Sequence, residues 1–225
     1  MKEENKEIIH RTIKGIIGAV PFAGTLLTEY YSLLIASPIE QRKENWLIAV
    51  INDLEKLKNS NKIDIDQLKN DDEFISVLLS ASQLAIRNHE TEKLNALKNA
   101  VINSALKIDL SGIKKMLFLN IIGQTTVLHL KILDFLDNPG KHLTENNRQD
   151  LTGIPRLSKI VTIYFKDYCK SPHLLKYVLY DLDNLGLILD ASKKSRKKEE
   201  IIRRWTSGVG HEFNNFIKEH LPNNV

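Results

Sequence analysis

The sequence predicts a mainly α-helical protein, with a helical bundle over residues 1–124 and a second region over residues 125–225 that contains a small two-stranded β element. Three observations predict this fold. Apolar residues recur at helical spacing through most of the chain, prolines and glycines divide that pattern into segments, and two short apolar runs in the last third have the length of strands. With 225 residues and 42% hydrophobic content, the chain is long enough to bury a core as one large domain or two small ones.

Helical spacing begins near the amino terminus. Isoleucines recur at this spacing within residues 2–19, and Pro21 then interrupts the pattern, so a second helix is expected to follow. The next helix has a clearer start. Ser37-Pro38-Ile39-Glu40 combines a capping serine, a proline at the first helical position and a glutamate three residues after the cap, which predicts a helix from Pro38 to about Lys58.

The middle of the chain alternates polar connections with helical patterns. Residues 59–72 are polar and rich in asparagine, as expected for a surface connection. Helical spacing resumes over residues 74–105, but residues 88–91 are polar, so the pattern fits either two helices or one long helix that leaves the core there. Further helices are expected within residues 111–122 and 126–137, each with a hydroxyl residue at its start.

The last third predicts three helices, a strand pair and a closing helix. The expected elements are helices Leu128–Leu136, Leu157–Tyr168 and Pro172–Leu185, strands Leu187–Asp190 and Ile201–Thr206, and helix Glu212–His220. This order resembles the winged-helix domain over about residues 126–220, with the strand pair as its wing. The resemblance implies that the third helix occupies the position that usually enters a DNA groove.

Positive charge is concentrated in the expected wing. The cations that could contact phosphate or a partner there are Lys193, Lys194, Arg196, Lys197, Lys198, Arg203 and Arg204. With Glu199 and Glu200, residues 192–204 have a formal charge of +5, so the rest of the chain has −1 of the total +4. Any attraction to nucleic acid is therefore local.

The exposed residues of the third helix argue against the DNA binding that its position implies. If its leucines and Val178 face the core, its exposed residues are His173, Lys176, Tyr177, Tyr180, Asp181, Asp183 and Asn184, with a formal charge of −1. A helix that reads DNA normally presents cations and amides to the duplex. We therefore expect a docking face for a protein, formed by Lys176, Tyr177, Tyr180 and Asp183.

Small residues near the amino terminus form a second notable pattern. Gly15, Gly18, Pro21 and Gly24 lie in an uncharged run of 14 residues that ends at Thr28. Small residues let helices approach closely, which predicts a packed helical hairpin or, after a trigger, a membrane contact. The run is shorter than the roughly 20 residues that a membrane span needs.

Three segments of the first half resemble a known family. A Gly/Ala-Pro-x-Ala-Gly hairpin precedes Glu29, a proline-initiated helix contains Trp46, and an apolar helix leads through Lys93-Leu94-Asn95-Ala96-Leu97 to Asn103-Ser104-Ala105. Over about residues 15–136 this layout resembles the bacterial Abi-alpha family. The resemblance implies a role in abortive infection, the host shutdown that responds to phage, and it supplies no catalytic residue.

No reaction is indicated by the spacing of reactive residues. The seven histidines lack the spacing that sets two metal ligands on one helix face, and no phosphate-binding loop is present. Cys169 is expected to be a buried structural thiol because Pro172 separates it from His173. We therefore expect no catalytic residue, metal or cofactor, and a single cysteine favours a reducing compartment such as the cytoplasm.

These observations lead to three hypotheses about function. The first is a non-catalytic interaction or effector protein of antiviral defence, which acts through a protein partner or as a homo-oligomer. The second is a transcriptional regulator whose basic wing contacts DNA. The third is an effector that permeabilises a membrane through residues 8–36 after a trigger.

Overall fold

The computed structural model describes residues 38–107, 110–154, 156–189 and 202–219. These residues are mainly helical, with ten α-helices and one isolated antiparallel bridge, so the predicted α class is confirmed. The small-residue hairpin with Gly15, Gly18, Pro21 and Gly24 lies outside the described residues. None of the described helices combines the length and apolar character that crossing a membrane requires.

The chain divides into two compact units. The first contains the described residues up to Gln124 together with those from Phe216 onward, and the second contains Thr125 to Asn215. This differs from the expected division at its carboxyl end, because the last residues of the closing helix belong to the first unit. The sequence analysis assigned every residue after 124 to the second region. Phe216 and the described residues after it instead belong to the first unit.

Five helices form most of the described part of the first unit. They are α1 (Pro38–Asn59), α2 (Ile65–Leu68), α3 (Asp72–Ile86), α4 (Thr91–Ala105) and α5 (Gly112–Gln124). The helix predicted from Pro38 is confirmed, and the pattern over residues 74–105 forms two helices. The polar connection contains α2, which begins where the Asp64 side chain accepts a hydrogen bond from the backbone N–H of Asp66.

The first unit has an apolar core with a few directed polar contacts. Leu57, Val77, Leu78, Leu97, Val101 and Phe118 are fully buried. The Trp46 indole N–H donates to the backbone carbonyl of Leu94 at 3.0 Å, which joins α1 to α4. Buried aromatic rings need such a partner for their polar group.

The second unit contains α6 (Val127–Asp137), α7 (Pro139–Glu145), a 3₁₀ turn (Gln149–Gly153), α8 (Leu157–Tyr164) and α9 (Pro172–Asn184), and α10 (Gly208–Ile217) begins in it. Phe135 anchors its core, with the Tyr164 ring at 4.5 Å and the Phe165 ring at 5.7 Å between centroids. Helix α8 ends four residues before the predicted Tyr168, because residues 165–168 form a turn.

The closing helix begins earlier than predicted. Glycines 208 and 210 argue against a helix by propensity, but the Ser207 hydroxyl accepts a hydrogen bond from the Gly210 N–H at 2.9 Å and caps the first turn. Gly210 also lies directly against the Leu187 carbonyl, where a side chain would not fit. Tertiary packing therefore overrides the propensity.

The strand pair is present only as one bridge among the described residues. Ile188 and Thr206 form it, flanked by hydrogen bonds from the Leu189 N–H to the Trp205 carbonyl (2.7 Å) and from the Ser207 N–H to the Leu187 carbonyl (2.9 Å). Residues 190–201 lie outside the described ranges. The two-stranded wing therefore stays a prediction.

Candidate functional site

Helix α9 is defined by local signals at both ends. The Ser171 hydroxyl accepts a hydrogen bond from the Leu174 N–H at 3.3 Å, and Pro172 occupies the first turn. At the other end Gly186 has a φ of 69°, and the Leu187 N–H reaches back to the Leu182 carbonyl at 3.0 Å. This glycine-terminated arrangement satisfies carbonyls that the end of a helix would otherwise leave open.

The buried side of α9 matches the prediction with two exceptions, Leu174 and Leu185. Leu175, Val178, Leu179 and Leu182 are buried, as the helical spacing predicts. Leu174 was expected in the core but is 47% exposed, because it lies at the boundary of the apolar side. Leu185 was also expected in the core and is half-buried. The exposure of Leu174 places an additional apolar residue at the surface.

The opposite side of α9 presents aromatic and aliphatic surface. Tyr177 is 58% exposed and Tyr180 is 64% exposed, and together with Leu174 they recur at intervals of three, which places them on one side of the helix. Lys176 and Asp183 are also exposed. We call Leu174, Lys176, Tyr177, Tyr180 and Asp183 the tyrosine face.

A histidine from α6 orients the neighbouring aspartate of α9. The His129 Nδ1 accepts a hydrogen bond from the Thr126 N–H at 3.2 Å, and its Nε2 is 3.4 Å from the Asp181 carboxylate. His129 is buried, whereas Asp181 is half-buried. Asp181 therefore contacts α6, whereas Lys176 and Asp183 are the exposed charged residues of α9 near the tyrosines.

A buried carboxylate near the end of α6 forms a network that the sequence analysis missed. Asp137 Oδ1 accepts hydrogen bonds from the Thr206 hydroxyl at 2.7 Å and from His211 Nδ1 at 2.8 Å. Burial alone would raise the pKa of Asp137, but the hydrogen bonds from Thr206 and His211 oppose it, and the pKa lies below its ordinary value.

This network has the composition of a hydrolase site without the geometry of one. The Thr206 hydroxyl donates to Asp137 rather than to His211, and His211 Nε2 is 3.1 Å from the Asn215 amide nitrogen. In a catalytic triad the nucleophile donates its hydrogen bond to the histidine, whereas the Thr206 hydroxyl donates to the carboxylate. The network instead fastens Thr206 and the start of α10 to the end of α6.

No protein-family model, curated protein or solved structure matches this chain.

The predicted phosphate contacts are only partly described. Arg203 and Arg204 are exposed and precede the Ile188–Thr206 bridge. The remaining predicted contacts, Lys193, Lys194, Arg196, Lys197 and Lys198, lie outside the described residues. The predicted membrane segment, residues 8–36, also lies outside them.

Reactive side chains are dispersed through the described parts of the chain. No group of three or more histidine, cysteine, aspartate or glutamate residues that could hold a metal ion occurs there. Cys169 is half-buried rather than buried, so the expectation of a core thiol was wrong. It follows the turn after α8, and its Sγ lies 3.7 Å from the Ser171 carbonyl.

Proposed function

We propose that this protein is a non-catalytic interaction protein that binds a protein partner or a second copy through the tyrosine face of α9. The observation that carries the proposal is the exposed stripe of Leu174, Tyr177 and Tyr180. Tyrosine contributes a large, stiff surface with a polar end, and it is enriched at protein interfaces and among the residues that dominate binding energy. Lys176 and Asp183 provide a polar rim of both signs.

The charge of the tyrosine face favours protein over duplex DNA. One lysine and one aspartate leave it without the positive excess that phosphate binding requires. Bidentate contacts to base edges come mainly from arginine, lysine, asparagine and glutamine, whereas tyrosines and an aspartate dominate this side of α9. These residues suit a partner surface with apolar side chains and mixed charge.

The proposed cellular context is antiviral defence by abortive infection. It rests on the resemblance of residues 15–136 to the Abi-alpha family and adds no chemistry to the mechanism. The proposed finer fold is a winged helix, supported by the order α6, α8 and α9 followed by the bridge between Ile188 and Thr206. In this proposal the third helix serves as a docking element.

The test removes both tyrosines from α9. In the double variant Tyr177→Ala/Tyr180→Ala, we expect partner affinity to fall by at least about 2 kcal/mol, roughly thirtyfold, because anchoring aromatic contacts are lost. Partners captured on the tagged protein would be purified and their Kd measured, and sedimentation velocity would measure self-association.

A matched control removes an exposed tyrosine elsewhere in the same unit. Tyr168 is 54% exposed and lies outside α9, with the Lys131 ammonium 5.2 Å from its ring centroid. We expect Tyr168→Ala to retain parental binding. Parental affinity of the double variant for every purified partner, together with unchanged sedimentation, would contradict the proposal.

The second candidate function is regulation of transcription. The exposed Arg203 and Arg204 favour it, because they continue the basic segment predicted to contact the DNA backbone. In this alternative the cations at 193–204 supply the affinity and α9 supplies little.

A further inference from the structure

A cavity of about 310 Å³ opens in the first unit where the start of α3, the end of α4 and the start of α5 meet. Phe74 contributes an apolar wall, and charged residues of both signs surround it. One water molecule occupies roughly 30 Å³ in the liquid, so the cavity has room for a small organic molecule. It belongs to neither α9 nor the basic segment, and the proposed function makes no use of it.

Two deeply buried polar groups in the cavity wall have unused hydrogen-bonding capacity. Ser104 is 4% exposed, and its hydroxyl has no hydrogen-bond partner among the described residues. The Lys115 side chain is 6% exposed, and Glu73 accepts one hydrogen bond from its ammonium group, which can donate three. Leaving such groups unsatisfied costs free energy, so a ligand acceptor that hydrogen-bonds to them would offset that cost.

Lys107 extends the cavity wall from a backbone conformation that costs stability. Its φ is 52°, and the two other non-glycine residues with positive φ in the described ranges are Asn61 and Asn147. Asparagine tolerates this region because of its short polar side chain, whereas a lysine there is less favourable than a glycine. Lys107 therefore brings its side chain to the cavity from a backbone conformation that glycine would adopt more readily.

Two acidic and two basic residues line the cavity. Asp71 and Glu73 contribute carboxylates from the start of α3, while Lys107 and Lys115 contribute ammonium groups. A simple anion would meet both carboxylates, and a simple cation would meet both lysines. Glu73 already pairs with Lys115, and Asp71 accepts a hydrogen bond from the Phe74 N–H. A ligand with one charge of each sign can use the remaining hydrogen-bonding capacity of both sets.

We propose that this cavity binds a small zwitterion of the free α-amino acid class. Its carboxylate accepts hydrogen bonds from Ser104 and Lys115 and faces Lys107, and its ammonium group faces Asp71 and Glu73. The Phe74 ring contacts the aliphatic part. This proposal is independent of the proposed function.

Binding is measured by isothermal titration calorimetry on the full chain at constant ionic strength. The probes are glycine, L-serine, L-leucine and L-glutamate, with acetate and ethylammonium as single-charge controls. We expect at least one amino acid to bind at least tenfold more tightly than either control. Absence of binding by all four amino acids, or equal binding of acetate, would overturn the proposal.

Two variants locate the binding site without breaking the fold. Lys107→Gly relieves the positive φ, and Ser104→Ala removes an unsatisfied hydroxyl, so both should unfold at or above the parental Tm. Each variant should bind the amino acid at least tenfold more weakly than the parent does. Asn147→Gly, which changes a residue of the same backbone conformation in the second unit, should keep parental affinity. Parental affinity in either cavity variant would overturn the assignment.

Discussion

Asp137 shows how one buried residue can hold distant parts of the second unit. Its carboxylate accepts from Thr206 and His211, which lie 69 and 74 positions away in sequence. Hydrogen bonds to an ionised carboxylate are stronger than neutral ones, and their loss inside a protein leaves buried donors unsatisfied. The residue therefore contributes to stability through its charged form.

Stability is expected to depend on the protonation of Asp137. Its pKa is lowered in the folded protein, so the contribution is complete above the unfolded pKa of about 3.9 and is lost as pH falls through the folded value. We expect Asp137→Asn to lower the free energy of unfolding by roughly 2–4 kcal/mol at pH 7 and by less at acidic pH. Urea unfolding from pH 7 to about pH 3 measures this.

A surface aspartate provides the control. Asp167 is exposed in the turn after α8, and Asp167→Asn should change the free energy of unfolding by less than about 0.5 kcal/mol. If Asp137→Asn destabilises the protein equally at every pH, its carboxylate is not the source of the stabilisation.

Helix α10 depends on close backbone contact at its first turn. An ideal Cβ on Gly210 would lie 1.8 Å from the Leu187 carbonyl oxygen, and a backbone atom cannot move aside as a flexible side chain can. Gly208 is in the same turn but has nothing within 4 Å of such a Cβ. The two glycines therefore differ in role although the sequence presents them alike.

Alanine substitutions at the two glycines should change the free energy of unfolding in different directions. Gly208→Ala should leave the free energy of unfolding unchanged or raise it by up to about 1 kcal/mol, because alanine favours helix. Gly210→Ala should lower it by about 2 kcal/mol or more, because the contact with Leu187 must open. Thermal unfolding of both variants beside the parent tests this, and destabilisation of equal size would argue against a specific contact at Gly210.

Local signals predicted elements better than they predicted sites. The prolines at 38 and 172 and the glycine at 186 each act over one helical turn, so their helix boundaries could be derived from sequence. The start of α10 could not, because its cap and the Leu187 contact outweigh glycine propensity. The tyrosine face was predicted from spacing, except for Leu174 at its edge.

At the scale of the whole molecule, separated segments create the features that sequence analysis missed. Ser104 and Lys115 meet Asp71 in one cavity only after three helices have packed, and neither spacing nor composition marks them. The Asp137 network likewise joins residues that are far apart along the chain. The distribution of charge, by contrast, follows directly from the sequence, because the excess of cations lies in one segment.

That distribution predicts how duplex DNA should behave. We expect only weak binding that is similar for all sequences and decreases between about 50 and about 200 mM salt, with a logarithmic slope no steeper than about −6 for seven cations. Replacing Lys193, Lys194, Arg196, Lys197 and Lys198 by glutamine should remove most of it. Electrophoretic mobility shifts measure both effects, and sequence-selective binding that persists at the higher salt would favour the transcriptional regulator.

The junction between α4 and the end of α10 has a consequence for synthesis. The Asn99 and Asn103 side chains donate to the backbone carbonyls of Ile217, Phe216 and Lys218 at 2.8–2.9 Å, which satisfies the open end of that helix. A ribosome makes α4 long before these carbonyls exist, and the whole second unit is translated in between. The first unit to begin folding is therefore the last to be completed.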